Sequence, residues 1–158
     1  MTLIAGIDEA GYGPLLGPLV VSATAFRVAD PPTPDCLWRR LAPVVTKKPD
    51  RHNDSVVVGD SKRLYSRAIG LKHLETAALA FLAAMEKPVE TRGAALAALS
   101  LKDLPDAAAC PWHKGPELAL PVELDPRTLG YKAARLKGHL AERGVQFDFR
   151  PRQGNPRD

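Results

Sequence analysis

The period of apolar positions changes along the chain, and the changes mark out its elements. Leu3 to Asp8 is a short apolar run closed by a Gly/Pro loop, and it reads as a buried strand. Leu19 to Val28, LVVSATAFRV, is rich in β-branched residues and predicts a second strand. The connection holds Gly11, Gly13, Pro14, Gly17 and Pro18. It is too short for a crossover helix, so the two strands are expected to pair antiparallel. A Pro-rich turn follows over 29–34, and Asp35 is placed to cap a short helix from Cys36 to about Val45. The polar loop TKKPDRHND leads to a brief strand, Ser55 to Val58, and a turn at Gly59.

From there the period lengthens. Leu71, Leu74, Ala78, Phe81, Leu82 and Met85 recur at three- and four-residue spacing, which predicts a helix from about Arg67 to Met85. An Ala-rich helix is expected over 90–101. Residues 102–124 carry Pro105, Pro111, Pro116 and Pro121 and read as an irregular insert. Asp125-Pro126 supplies an N-cap and a proline at the first helical position, Leu129, Ala133, Leu136 and Leu140 form a buried stripe, and Gly144 is placed to end that helix. VQFDF, Val145 to Phe149, alternates as a strand does. The domain is therefore expected to span 1–149, with RPRQGNPRD, residues 150–158, as a disordered tail.

Composition narrows the class. The 158 residues are 45% hydrophobic and 25% charged, which describes one soluble domain with room for a core. The net charge of +4 and a pI near 9.2 tilt weakly toward a polyanionic partner. No leader pattern and no apolar run long enough to span a bilayer is present, so a cytoplasmic location and no membrane partner are expected. Two cysteines, Cys36 and Cys110, do not make a disulfide framework.

The chemistry concentrates in GIDEAGYGP, Gly6 to Pro14. Neither phosphate-loop pattern fits: Gly17 is followed by Pro18 where a Walker loop needs Lys, and the third glycine of a dinucleotide fingerprint is misplaced and followed by a strand. What remains is carboxylate chemistry. Asp8 and Glu9 end an apolar strand, where lost hydration is costly unless a cation or hydrogen-bond donors replace it. Clustered acids suit magnesium or manganese, which take oxygen ligands. A bare Asp-Glu pair is more simply a turn cap beside a solvated acid.

The surroundings of the pair add to this. GIDEAGYGPLLGPLVVSA resembles the first motif of the type II ribonucleases H, and GDSKRL, Gly59 to Leu64, resembles their second, in the same order and followed by a helical pattern. The resemblance covers 1–28 well and 56–85 reasonably. It implies an α/β, ribonuclease H-like fold: a mixed sheet beginning with antiparallel strands, with helices packed on it. It implies a metal-dependent endonuclease, using magnesium or manganese, that hydrolyses RNA in RNA–DNA hybrids or at ribonucleotides embedded in DNA. Position by position, Asp8 and Glu9 match two metal-binding carboxylates. Gly11, Tyr12 and Gly13 match the loop whose backbone approaches the ribose 2′-hydroxyl, the group that tells RNA from DNA. Lys62 matches a phosphate-facing lysine, and Asp60 and Ser61 are expected to shape the helix start.

The sequence also departs from that family. Tyr12 stands where arginine is usual, the insert is not the family pattern, and the third and fourth acids are not evident. Asp125 is better explained as an N-cap, and Asp148, on the last strand, is the first later acid to examine as a ligand. The alternative reading is a non-catalytic or fragmentary nucleic-acid-binding relative without a complete metal site. Among lesser signals, CPWH at Cys110 to His113 has zinc-like spacing without a second ligand pair nearby. His52, His73 and His139 are expected at the surface, Trp38 and Trp112 in packing. Lys47, Lys48 and Arg51 form a small basic loop.

Overall fold

The computed structural model describes residues 1–9, 20–29, 36–49, 54–87, 89–99 and 115–153. The chain is mixed α/β. Strands β1 (Thr2–Glu9), β2 (Val20–Val28) and β5 (Gln146–Gln153) form one sheet in the order β1-β2-β5. Both pairings are antiparallel, the first as its short connection leads one to expect, with Ile4 opposite Phe26 and Phe26 opposite Phe147. β3 (Val45–Thr46) and β4 (Val56–Val57) make a separate two-residue parallel pair. Helices α1 (Cys36–Leu41), α2 (Ser61–Leu64), α3 (Lys72–Ala84), α4 (Arg92–Ala98) and α5 (Pro126–Glu142) complete the elements.

One face of the sheet carries the core. Side chains alternate across a strand, so Ile4, Phe26, Val28 and Phe147 share a face through the register. Phe81 of α3 meets Phe26 and Phe147 there, with ring centroids 6.4 and 4.7 Å away, and the cross-strand pair Phe26–Phe147 is at 4.8 Å. These spacings lie in the range of favourable aromatic contact. Val28, Ala80 and Leu136 are wholly buried in the same cluster, which takes in Val45 and Val56, so α3 and α5 bind the large sheet to the small one. A second cluster of Leu79, Leu82 and Val89 joins α3 to α4.

The last helix follows its sequence signals closely. Asp125 accepts the Thr128 amide at 2.8 Å, and Pro126 stands in the first turn. Its C-terminus closes with Gly144 at φ +59°, Gly144 N donating to the Ala141 carbonyl and Val145 N to that of Leu140. This is the paired arrangement in which a left-handed residue satisfies the final carbonyls, and buried Val145 packs in the same cluster as Leu140. Ala133, Leu136 and Leu140 are buried as the stripe predicts, with Leu129 half-buried.

Five expectations are corrected. Leu3 to Asp8 is not a buried strand: Leu3 is 59% and Ile7 74% exposed, and only Thr2 and Ile4 are half-covered. The helices cover the face only as far as Ile4 and leave the far end open. The first helix stops at Leu41 and not near Val45, because Pro43 disfavours a helical residue before it and has no amide to donate. The helix expected from Arg67 begins at Lys72, since Gly70 takes φ +66° and pairs with Ser66 in an isolated bridge. Its buried side is also rotated: Leu79 and Ala80 are inside, whereas Leu71 and Ala78 are exposed. Finally, β5 runs to Gln153, so the ladder takes in 150–153 of the expected tail; residues 154–158 lie outside the described residues.

Part of the expected insert is tied down without forming a helix or long strand. The Glu75 carboxylate accepts the amides of Val122 and Glu123, at 2.5 and 2.9 Å. Glu117 accepts the Gly93 amide at 2.7 Å, and Thr91 bridges Ala119. Residues 102–114, with the CPWH stretch, lie outside the described residues. Among the described residues no helix is long and apolar enough to cross a membrane.

Candidate functional site

Asp8 and Glu9 are the last two residues of β1, opposite Ser22 and Val21. Both are exposed. Register puts Asp8 on the same face as Ile4 and Phe26 but beyond the reach of the helices, and Glu9 on the opposite face. Asp8 Oδ1 accepts the Glu9 amide at 3.0 Å. One Asp8 oxygen is thus used locally, and the other, with the Glu9 carboxylate, is available at the strand end. Because they point to opposite faces, the two carboxylates do not converge on one ion in this arrangement; a largely hydrated divalent cation, which wants about six oxygens, could take an oxygen from Asp8 with water completing most of its shell. The pair does not by itself make the cage that would fix two ions about 4 Å apart. Among the described residues, no group of three or more potential ligands comes together.

Asp148 does not join the pair. It stands opposite Ala25, which stands opposite Ala5. Ala5 is three residues from Asp8, about 10 Å along the strand, and two strand spacings separate β1 from β5, so the two backbones are about 14 Å apart. The odd separation also sends Asp8 and Asp148 to opposite faces. Asp148 Oδ1 accepts the Phe149 amide at 2.9 Å, repeating the local contact seen at Asp8.

The second motif forms a helix start. Asp60 caps α2, its Oδ1 accepting the Lys62 amide at 2.9 Å, while Leu64 is buried. Lys62 is exposed on that short helix. The shaping role expected of Asp60 is thus met by a side-chain cap. Gly11, Tyr12 and Gly13 lie outside the described residues.

Sequence reasoning missed a different set of residues. A cavity of about 310 Å³ opens between the starts of α3 and α5 and the segment entering β4, lined among others by Asp54, Lys72, His73, Thr76, Asp125 and Lys132. His73, expected at the surface, is half-buried in this wall. Its pKa is lowered from the ordinary 6.5, first by burial and then by the charges of Lys72 and Lys132. Burial likewise lowers the Lys132 ammonium; Asp54 opposes this, and Arg135 and Lys72 add to it. Lys132 Nζ donates to the Ser55 carbonyl at 2.9 Å. Helical spacing alone could have paired Lys72 with His73 and Thr76, but nothing in the sequence brings Lys132 to them across 60 residues.

His139 is also not at the surface. It is buried, and its Nε2 lies 2.6 Å from the Arg40 carbonyl, to which it donates, tying α5 to α1. Trp38 packs half-buried against the core as expected, with Lys47 Nζ 4.6 Å above its ring, so one member of the basic loop is engaged in packing. No family model matches the chain, and neither curated proteins nor solved structures yield a match.

Proposed function

We propose that this chain is a divergent ribonuclease H-like protein that acts on RNA–DNA hybrids or on ribonucleotides embedded in DNA. The observation that carries the reading is the placement of Asp8 and Glu9: two exposed acids at the open end of a strand that pairs antiparallel with the next. An Asp60-capped helix start bearing Lys62 follows in the expected order. In this reading Asp8 and Glu9 would hold magnesium or manganese, which when bound supplies charge neutralisation at a phosphodiester and a more acidic water. Gly11, Tyr12 and Gly13 would lie against the sugar, and Lys62 would take a backbone phosphate.

A second reading is supported by a specific observation. Asp148 is about 14 Å from Asp8 and on the other face, so the acid most readily offered as a further ligand is out of reach. In that reading the chain binds nucleic acid without cleaving it efficiently. The test is incubation of the purified chain with an RNA–DNA hybrid and manganese, alongside Asp8→Asn. Cleavage lost in Asp8→Asn supports the enzyme. Salt-sensitive hybrid binding without cleavage supports the second reading. Neither binding nor cleavage overturns both.

A further inference from the structure

We propose that the cavity between α3, α5 and the segment entering β4 is a binding subsite for a phosphate group, with Lys72, His73 and Lys132 as its donors. The proposal is independent of Asp8 and Glu9. At about 310 Å³ the cavity stands at the small end of ligand-sized pockets, which run from roughly 300 to 1,000 Å³. Its cationic groups come from two helices that are far apart in sequence, and the fold brings them together on one concave wall.

The two ammonium groups and the His73 ring share one side of the cavity, and Asp54 and Asp125 balance the lysine charges in its lining, so it is the gathering of donors, not net charge, that suits an anion. Burial first and Lys72 after it lower the proton affinity of both His73 and Lys132, and Asp54 opposes this at Lys132. Among the described residues no carboxylate lies within ion-pair distance of Lys72 or Lys132; the pair formed is Lys137–Glu86, elsewhere. Two carboxylates do line the cavity. Asp125 accepts both the amide and the hydroxyl of Thr128 on its Oδ2, at 2.8 and 3.0 Å, and keeps its charge. Asp54 is exposed and acts on Lys132 from a distance. The Thr76 hydroxyl is likewise used, donating to the Lys72 carbonyl at 2.6 Å. Lys132 spends one of its three hydrogens on the Ser55 carbonyl; its other two, the Lys72 ammonium and the His73 ring are the donors left for a ligand. A dianion with several oxygens matches two ammonium groups and a protonatable ring better than a single carboxylate does. Binding would raise the proton affinity of His73, because an anion beside the ring opposes the burial and the lysine charges that lower it.

The phosphate could belong to a small molecule or to a nucleic-acid backbone, and one experiment separates the two. The His73 ring is followed by NMR across pH in the full chain, with inorganic phosphate, a nucleoside monophosphate or an RNA–DNA hybrid added, and with chloride at matched ionic strength as control. The expected result is a saturable upward movement of the His73 titration with phosphate but not chloride. Lys72→Gln, a change at an exposed side chain that should not disturb folding, is expected to weaken binding about three- to tenfold. Lys132→Gln is the second variant. An effect from the hybrid at far lower concentration than from free phosphate assigns the subsite to a polymer backbone; an effect confined to the small anions assigns it to a small molecule. Equal behaviour with chloride, no movement of His73, or unchanged affinity in both lysine variants overturns the proposal. The inorganic-phosphate titration involves neither Asp8 nor Glu9, so failure of this proposal is distinct from failure of the acid-pair reading.

Discussion

The two ends of the molecule are built differently. The last helix, α5, is capped at both ends, wholly buries Leu136, and joins the two sheets. The first strand, β1, has the more apolar sequence of the two, yet Leu3 and Ile7 stand exposed, and the strand ends on two acids with little local engagement. Hydrophobic sequence was spent on packing in one place and not in the other. The weakly packed end of β1 is where the sequence places its acid pair and the glycines that follow.

The sharpest way to break this comparison is to truncate both ends. Leu136→Ala should cost about 2–5 kcal/mol, a large part of a small domain's stability, because it opens a cavity at the centre of the main cluster. Ile7→Ser should change stability by no more than about 0.5 kcal/mol. Urea unfolding of both variants decides; a large loss at Ile7 would mean that β1 is packed after all. The next effect concerns the tether of the late irregular segment. Glu75→Ala removes the acceptor for two amides and should cost about 1–3 kcal/mol, with faster hydrogen exchange at Val122 and Glu123. Unchanged exchange at those amides would show that the carboxylate is not what holds them.

The smallest effect is a pH dependence. His73 has a lowered pKa, so between that value and its ordinary 6.5 the unfolded chain binds more protons than the folded one. Stability should therefore be full above pH 6.5 and fall as pH drops through this window. Lys72 from α3, Lys132 from α5, and Asp54 and Asp125 all line this cavity; burial sets the direction and the two lysines add to it. His73→Asn should flatten that part of the curve and leave the acidic limb, governed by carboxylates, in place. A curve unchanged by the substitution would remove His73 from the explanation.

Much of the fold was legible because local signals agreed with the tertiary outcome. The β1–β2 pairing followed from a connection too short for a helix, and the limits of α5 from Asp125, Pro126 and Gly144. The errors arose where tertiary context overrode a local pattern. In an Ala-rich helix several faces are apolar, so the period of α3 did not say which side would meet Phe26 and Phe147. Gly70 and Pro43 cut two helices short, and the pairing of β5 with β2 carried a polar sequence into strand. Of the candidate site, the positions of Asp8 and Glu9 and the cap at Asp60 could be read directly. The distance of Asp148 from Asp8 depended on sheet order, and the Lys72–His73–Lys132 wall on the packing of two helices. A linear pattern contains neither.

The central proposal is a divalent-cation site at the open end of β1, held by Asp8 with Glu9 next to it in the chain and without Asp148. The most direct measurement is titration of the chain with manganese, read by paramagnetic resonance, for the unaltered protein, Asp8→Asn and Asp148→Asn. Weak, saturable binding that is lost in Asp8→Asn and kept in Asp148→Asn is the predicted result. Binding that survives Asp8→Asn, or that vanishes with Asp148→Asn, would contradict the claim.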